Sequence, residues 1–220
     1  MAGSMADPGL FDIMYSTRSM RRLKPDPIPD EVLKKIVDAG VHAPSGSNFQ
    51  SWAFLLIKDP ATKRFIRDHY LHAYEELARR GSIPAMADLP PDRQRLFDAA
   101  VHLAQHLDEV PVILLACSGT EFPTYAGADN PRAITATLHA SIYPAVQNIL
   151  LACRALGVGA TLTTVHYFFE EELKQKLGVP ADMEITALLP LGFPEGRFGP
   201  VSRRPVEEVI HWDRWGNTDE

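Results

Sequence analysis

Four short apolar runs limit what this chain can fold into: "SWAFLLIK" (51–58), "PVILLACSG" (111–119), "VGATLTTV" (158–165) and "EITALLPLGF" (184–193). Each has the length of a strand, is rich in aliphatic or β-branched residues, and is bounded by glycine, proline or charged residues. Long helical patterns separate them. Val32, Leu33, Ile36 and Val37 form an apolar stripe in a helix opened by Pro29 and Asp30. Further helices are expected over 9–17, 62–80, 93–110 and 168–178. The longest pattern, "RAITATLHASIYPAVQNILLACRALG", is interrupted by Pro144, which predicts a kink or a restart with Ser141 as N-cap. Helices and strands do not alternate one for one, and the sheet comes late in chain order. That points to an α+β sandwich rich in helix.

The bulk numbers narrow the partners. The 220 residues suit one domain, read here as 9–220, after a disordered or tag-like stretch over 1–8. With 22 basic and 28 acidic residues the net charge is −6, which argues against nucleic acid as the main partner. No run reaches the roughly 18 apolar residues a spanning helix needs, so no membrane partner is expected. Cys117 and Cys153 lie in apolar surroundings and fit neither a disulfide framework nor a metal site. A reducing, cytoplasmic setting follows as the expectation.

Four stretches carry chemistry-bearing residues. "TRSMRRL" holds Arg18, Ser19, Arg21 and Arg22 in a segment that Pro25, Pro27 and Pro29 continue in extended form. Arg18 and Arg22 share a face if it is extended; Arg18 and Arg21 converge if it turns. Guanidinium forks and a short hydroxyl suit a phosphate, and a solvated basic loop is the plain alternative. "APSGSNFQSW" places Pro44, Ser45, Ser47, Asn48 and Gln50 between a helix and a strand. The two amides can pair with the edge of a heterocycle, and a harmless turn reads equally well. "GATLTTV" ends a strand in Leu162, Thr163 and Thr164, where main-chain groups can face a planar ligand. "VSRRPVEEV" holds Arg203 and Arg204 in a rigid extended stretch before Pro205, a second arginine site far from the first. There is no G-x-G-x-x-G after a strand, no G-x-x-x-x-G-K-[ST] loop and no G-x-S-x-G elbow. His102 and His106 lie four apart without a third metal ligand at a familiar offset.

In this order the stretches resemble the nitroreductase family of FMN-dependent oxidoreductases. Arg-Ser-x-Arg comes first, then Pro-Ser-x-x-Asn-x-Gln-x-Trp, then the helix "QNILLACRALG", then "GATLTT", then Arg-Arg-Pro-x-Glu-Glu. The resemblance runs roughly from Leu10 to Val209. It implies a sandwich with a central, mainly antiparallel sheet flanked by helices, in an intertwined homodimer with two FMN sites at its interface. It implies that Arg18, Ser19 and Arg21 hold the phosphate and the ribityl or pyrimidine side of FMN, and that Arg203 closes on the phosphate. Pro44, Ser45, Ser47, Asn48 and Gln50 would come from the other subunit. Leu162, Thr163 and Thr164 would pass the flavin near its N5 edge, with a backbone N–H near Thr164. Many relatives have an arginine or histidine where Thr17 stands and a lysine where Val201 stands, so Arg22 and Arg204 are the cations available to compensate.

The activity implied is ping-pong reduction of a nitroaromatic, quinone or related small acceptor by NADH or NADPH, with a lid over 70–110 setting specificity. Tyr70, Tyr74, His102 and His106 are candidate acceptor contacts. The alternatives are a flavin-binding or storage protein without turnover, and a specialised member such as a dehalogenase or dehydrogenase.

Overall fold

The structure is a computed structural model, and it describes residues 9–81, 89–119 and 131–218. The expectations for 1–8, for most of the loop "GSIPAMADLPPD" and for the loop "EFPTYAGADNP" fall outside the described residues. Ten elements carry the fold: α1 (Leu10–Ser16), α2 (Asp30–Val41), β1 (Trp52–Ile57), α3 (Pro60–Arg79), α4 (Pro91–Gln105), β2 (Val112–Gly119), α5 (Pro131–Ala155), β3 (Gly159–Ala160), α6 (Glu170–Leu177) and β4 (Met183–Gly192). Short 3-10 turns at Gly46–Asn48, Val165–Phe169 and Val206–Glu208 link them.

The sheet runs β1-β2-β4-β3, and every pairing is antiparallel. Strand β2 lies inside it, and Val112 to Cys117 are buried on both sides. Period-2 alternation then divides its side chains. Val112, Leu114 and Ala116 join the core under α2 and α5, with Ile36, Ile142 and Ile149. Ile113, Leu115 and Cys117 join the core under α3, α4 and α6, with Ile66, Leu107 and Leu173. Opposite the Ala116/Cys117 step, β4 carries an extra residue, Thr186, which is the signature of a bulge. Its hydroxyl meets that of Ser118 at 2.9 Å, so the buried bulge keeps its polar groups paired.

Local chemistry accounts for several boundaries. Asp59 caps α3 by accepting from Thr62 N–H at 2.7 Å, with Pro60 in the first turn, so the helix begins earlier than the expected Thr62. Gly178, in the left-handed region at φ 67°, closes α6.

Three expectations are corrected. Pro144 neither ends nor restarts a helix: α5 runs unbroken through it. The missing N–H costs about 3 kcal/mol or more, and α5 offsets it by burying Ile142, Ala145, Val146 and Ile149 on the sheet. The strand expected over 158–165 is only Gly159–Ala160, followed by one further bridge between Thr163 and Leu188. Phe168 and Phe169 belong to a 3-10 turn ahead of α6 rather than to the helix.

Strand β3 is held from the other side by the extended arginine segment. Met20 N–H donates to Ala160 O at 2.9 Å, Lys24 N–H donates to Phe193 O at 2.7 Å, and Leu23 bridges Pro194. Gly159 makes this approach possible. A Cβ there would stand 2.7 Å from Leu23 Cδ2 and 3.0 Å from Met20 Cβ.

Candidate functional site

The extended segment after α1 turns Met20 inward and leaves Arg18 and Ser19 exposed. They open onto a cavity of about 230 Å³ walled by Thr17, Gln147, Leu150, Thr161, Leu162 and Arg203, among others. Three stretches that are distant in sequence therefore meet at one place: the first arginine stretch, the strand end, and the Arg203 stretch. Arg154 helps to hold them. Its Nε donates to Ser16 Oγ at 2.8 Å, and its guanidinium lies 4.5 Å over the Phe198 ring. Val201 N–H donates to Tyr15 O at 3.1 Å and brings the Arg203 stretch alongside α1. Thr17 lines the cavity, and its hydroxyl donates to Ile13 O at 2.7 Å.

Among the described residues the charges in this cavity have no protein counter-ion. Among the described residues neither Arg18 nor Arg203 forms an ion pair, and Arg203 only donates to its neighbour Ser202 O at 2.8 Å. Thr161 is 2% exposed, and its hydroxyl has no hydrogen-bond partner among the described residues. Two unpaired guanidinium groups facing one cavity suit an anion with oxygen acceptors.

The stretch "TRSMRRL" stays extended, and of its arginines Arg18 lines the cavity while Arg21 does not. Arg21 is half-buried, and Arg18 is the cation close enough to act on it. Burial holds the Arg21 guanidinium below its usual pKa, opposed by the nearby phenols of Tyr70 and Tyr74. Arg22 turns elsewhere. Its carbonyl accepts from Glu195 N–H at 3.1 Å, and its charge adds to burial in lowering the pKa of His102. The structure does not bring Arg22 or Arg204 into the cavity. His102 and His106 stack on α4 with ring centroids 4.1 Å apart.

The loop after α2 stands at a second cavity of about 460 Å³, walled by Pro44, Ser45, Gly46, Ala136, Thr137, Ala140 and Ser141. Gly46 N–H donates to Ser141 Oγ at 3.1 Å, and Gln50 N–H donates to Ser45 Oγ at 2.8 Å. Ser47, Asn48 and Gln50 take positive φ angles of 50°, 57° and 51°. Left-handed backbone at a non-glycine residue is costly, and it marks a loop whose shape is dictated from outside its own sequence. Gln50 Nε2 donates to Asn48 Oδ1 at 3.2 Å, so the two amides form one exposed unit. Within one chain, then, Arg18, Ser19, Leu162 and Arg203 come together, while Pro44 and Ser45 stand at a separate cavity along the same helix, α5.

At the strand end, Thr163 N–H and C=O both pair with Leu188, at 3.0 and 3.1 Å. Its hydroxyl lies 2.9 Å from that of Tyr70 on α3. Thr164 is exposed and precedes the Val165–Phe169 turn.

Reading the sequence did not single out Met14, Gln147, Leu150 and Ala160, which also line the cavity. The spacing of Gln147 and Leu150, three apart on one helix face, was the available signal.

The Nitroreductase family model matches residues 14–193. The chain is 32% identical to a Thermus thermophilus NADH dehydrogenase, over 89% of this chain and 91% of that protein. It is 27% identical to the iodotyrosine deiodinase of Drosophila melanogaster, over 84% of this chain and 62% of that protein's length. Among solved structures, it superposes on an oxidised iodotyrosine deiodinase bound to FMN and 3-iodo-L-tyrosine with a TM-score of 0.73 and 22% identity, covering 94% of this chain and all of that one. It also superposes on a BluB-like flavoprotein from Clostridium difficile with a TM-score of 0.69 and 26% identity, covering 94% and 99%.

Proposed function

The chain belongs to the nitroreductase family, and from that premise we propose that it is an FMN-dependent oxidoreductase. It takes electrons from NADH or NADPH and passes them to a small organic acceptor, a nitroaromatic, a quinone or a related compound. The observation that carries the reading is the pair Arg18 and Arg203 on one cavity without a protein carboxylate, beside Ser19 and the unpartnered Thr161 hydroxyl. That donor set fits a phosphate and a polyol arm. Arg18, Ser19 and Arg203 would hold the phosphate and ribityl side. Leu162, Thr163 and Thr164 would border the ring. Arg21 would put positive charge at the ring's far end, where negative charge develops on reduction. When bound, FMN supplies the electron-transfer chemistry, and the chain binds, orients and shields.

Reductant and acceptor would use one place in turn. The proposed cover, residues 70–110, is rooted at both ends, since Tyr70, Leu103, Leu107 and Val110 are buried in the core. No helix among the described residues is long and apolar enough to cross a membrane. Cys117 and Cys153 are free and buried, with thiols pushed up to about 11 and about 12 by burial, which makes them unreactive. Reductive dehalogenation of an aromatic substrate is the second reading, favoured by the deiodinase relatives. The test is to release the bound chromophore by denaturation and identify it. A panel of nitroaromatics, quinones and halogenated phenols is then assayed with NADH and NADPH. The expected result is FMN, with turnover of at least one acceptor class. A colourless protein unable to take up FMN would refute the proposal.

We also propose a homodimer in which the loop at 44–50 completes the partner's flavin site. Three observations support it. The outward face of α5 is uncharged through Ala136, Ala140, Tyr143 and Gln147. Helix α1 buries none of its residues and leaves Phe11 65% exposed. The C-terminal stretch leaves Val206, Val209 and Trp215 exposed, the last at 91%. Light scattering is expected to give twice the chain mass. A monodisperse monomer with full flavin occupancy would rule out the shared site.

A further inference from the structure

Helix α3 shows two different faces. Tyr70 and Tyr74 lie on the side of Thr163 and Arg21. His69, Ala73, Glu76 and Arg80 follow one another at helical spacing and form a second stripe along the helix. That stripe walls a cavity of about 330 Å³, which Phe168, Phe169 and Glu172 line from the turn before α6 and from α6 itself. The volume is that of a small-molecule site. The cavity shares no lining residue with the one that holds Arg18 and Arg203.

Ala73, Leu77 and the buried Phe169 make part of the wall apolar, and Phe168, 63% exposed, adds an aromatic ring open to solvent. The polar groups left over are acceptors. His69 Nδ1 lies 2.9 Å from Phe65 O. A carbonyl can only accept, so Nδ1 carries the hydrogen, and Nε2 of the neutral ring is left as an acceptor. Ring contacts with Phe65 at 4.1 Å and Phe169 at 5.6 Å hold the imidazole in place. Among the described residues Glu172 forms no ion pair. The lysine one turn on, Lys176, lies 5.8 Å over the Phe65 ring instead, and Lys174 stands 3.9 Å from Glu171. Arg80 is committed to Glu76, its Nε donating to Oε1 at 2.6 Å, while Arg79 Nε donates to Oε2 at 2.9 Å. A ligand that completes this set brings hydrogens to donate, positive charge for Glu172 and an apolar body for the aromatic wall. An ammonium group also gains from the face of a phenylalanine ring.

We propose that the groove between α3 and α6 is a second binding site, for a small organic cation: an ammonium group on an aromatic or aliphatic body. Glu172 and His69 Nε2 receive the ammonium, and Leu77, Phe168 and Phe169 receive the body. The site does not depend on the FMN reading.

Isothermal titration of the purified protein with phenethylammonium chloride tests it, with phenethyl alcohol and phenylacetate as the neutral and anionic counterparts. The ammonium is expected to bind about 3- to 10-fold more tightly than either. Glu172→Gln should weaken its binding by a similar factor and abolish the preference over the alcohol. Phe168→Ala should weaken all three probes, since the apolar body is common to them. His69→Phe keeps a ring between Phe65 and Phe169, removes the acceptor and should weaken the ammonium about 3- to 10-fold. Glu171→Gln, on the same turn but outside the cavity, should leave Kd at the parental value. Glu172 and Phe168 are both exposed, so their variants carry the test even if His69→Phe does not fold. A parent that fails to prefer the ammonium, or a Kd that Glu172→Gln and Phe168→Ala both leave unchanged, would overturn the site. So would ammonium binding that is lost in Arg18→Ala and kept in Glu172→Gln, because the probe would then occupy the other cavity.

Discussion

Arg18→Ala and Arg203→Ala are each expected to weaken FMN binding by about 10- to 150-fold, while Arg79→Ala leaves it within about 3-fold of the parent. The two cavity arginines have no carboxylate partner among the described residues, so each is free to meet a phosphate dianion. A charge-assisted hydrogen bond contributes roughly 1.5–3 kcal/mol, and ~1.4 kcal/mol is one decade in affinity. Arg79 is the control because its chemistry is the same and its setting is not. It lies at the end of α3, its side chain is 76% exposed, and it is paired with Glu76. Single exposed charges of that kind contribute well under ~1 kcal/mol. Arg18→Lys should fall between, because lysine keeps the charge and loses the fork. Fluorescence-quenching titration at fixed ionic strength decides the matter. Three alanine variants that all bound FMN like the parent would show that neither arginine stretch grips the phosphate.

Leu114→Ala is expected to destabilise the fold by about 2–5 kcal/mol, lowering Tm by roughly 5–15 °C in a chain of this size. Leu114 sits midway along β2, opposite Leu56 of β1 and Leu189 of β4. It is fully buried among the residues under α2 and α5. Truncating it removes apolar area from the layer that carries α5, and the strands on both sides prevent the gap from closing. Leu96→Ala on α4 is the comparison: Leu96 is 43% exposed, and its loss should cost no more than about 0.5 kcal/mol. Denaturant unfolding at one fixed protein and FMN concentration separates the two, because ligand and association both shift apparent stability. A Leu114→Ala protein as stable as the parent would mean that this face of the sheet is not the core described here.

Much of the scaffold was legible in the order of residues. The apolar runs at β1, β2 and β4 announced strands; β2 and β4 are buried along most of their length, while the edge strand β1 is only partly buried. The stripe of Leu33 and Ile36 announced α2, because helical period puts those positions on one face. The ordered set of short motifs was enough to point to the family that the family model then matched. These are properties of neighbouring residues, and neighbouring residues are what a sequence lists.

What the sequence left open was settled by contacts between distant segments. Thr161 to Thr164 look as β-prone as Gly159 and Ala160, yet only the latter pair and the single Thr163 bridge find a partner on β4. A strand is a pairing and not a propensity. Pro144 predicts a kink or a restart; the restart does not occur, because packing of Ile142, Val146 and Ile149 on the sheet outweighs the lost bond, and burial is decided by the whole layer. Three arginines within five residues read alike in sequence. The fold gives them different surroundings: Arg18 at the cavity with Arg203, Arg21 beside Tyr70 and Tyr74, Arg22 near His102. Only the tertiary structure could make that division, because each arginine's environment is supplied by a different element, and no local pattern specifies which distant side chains will stand opposite.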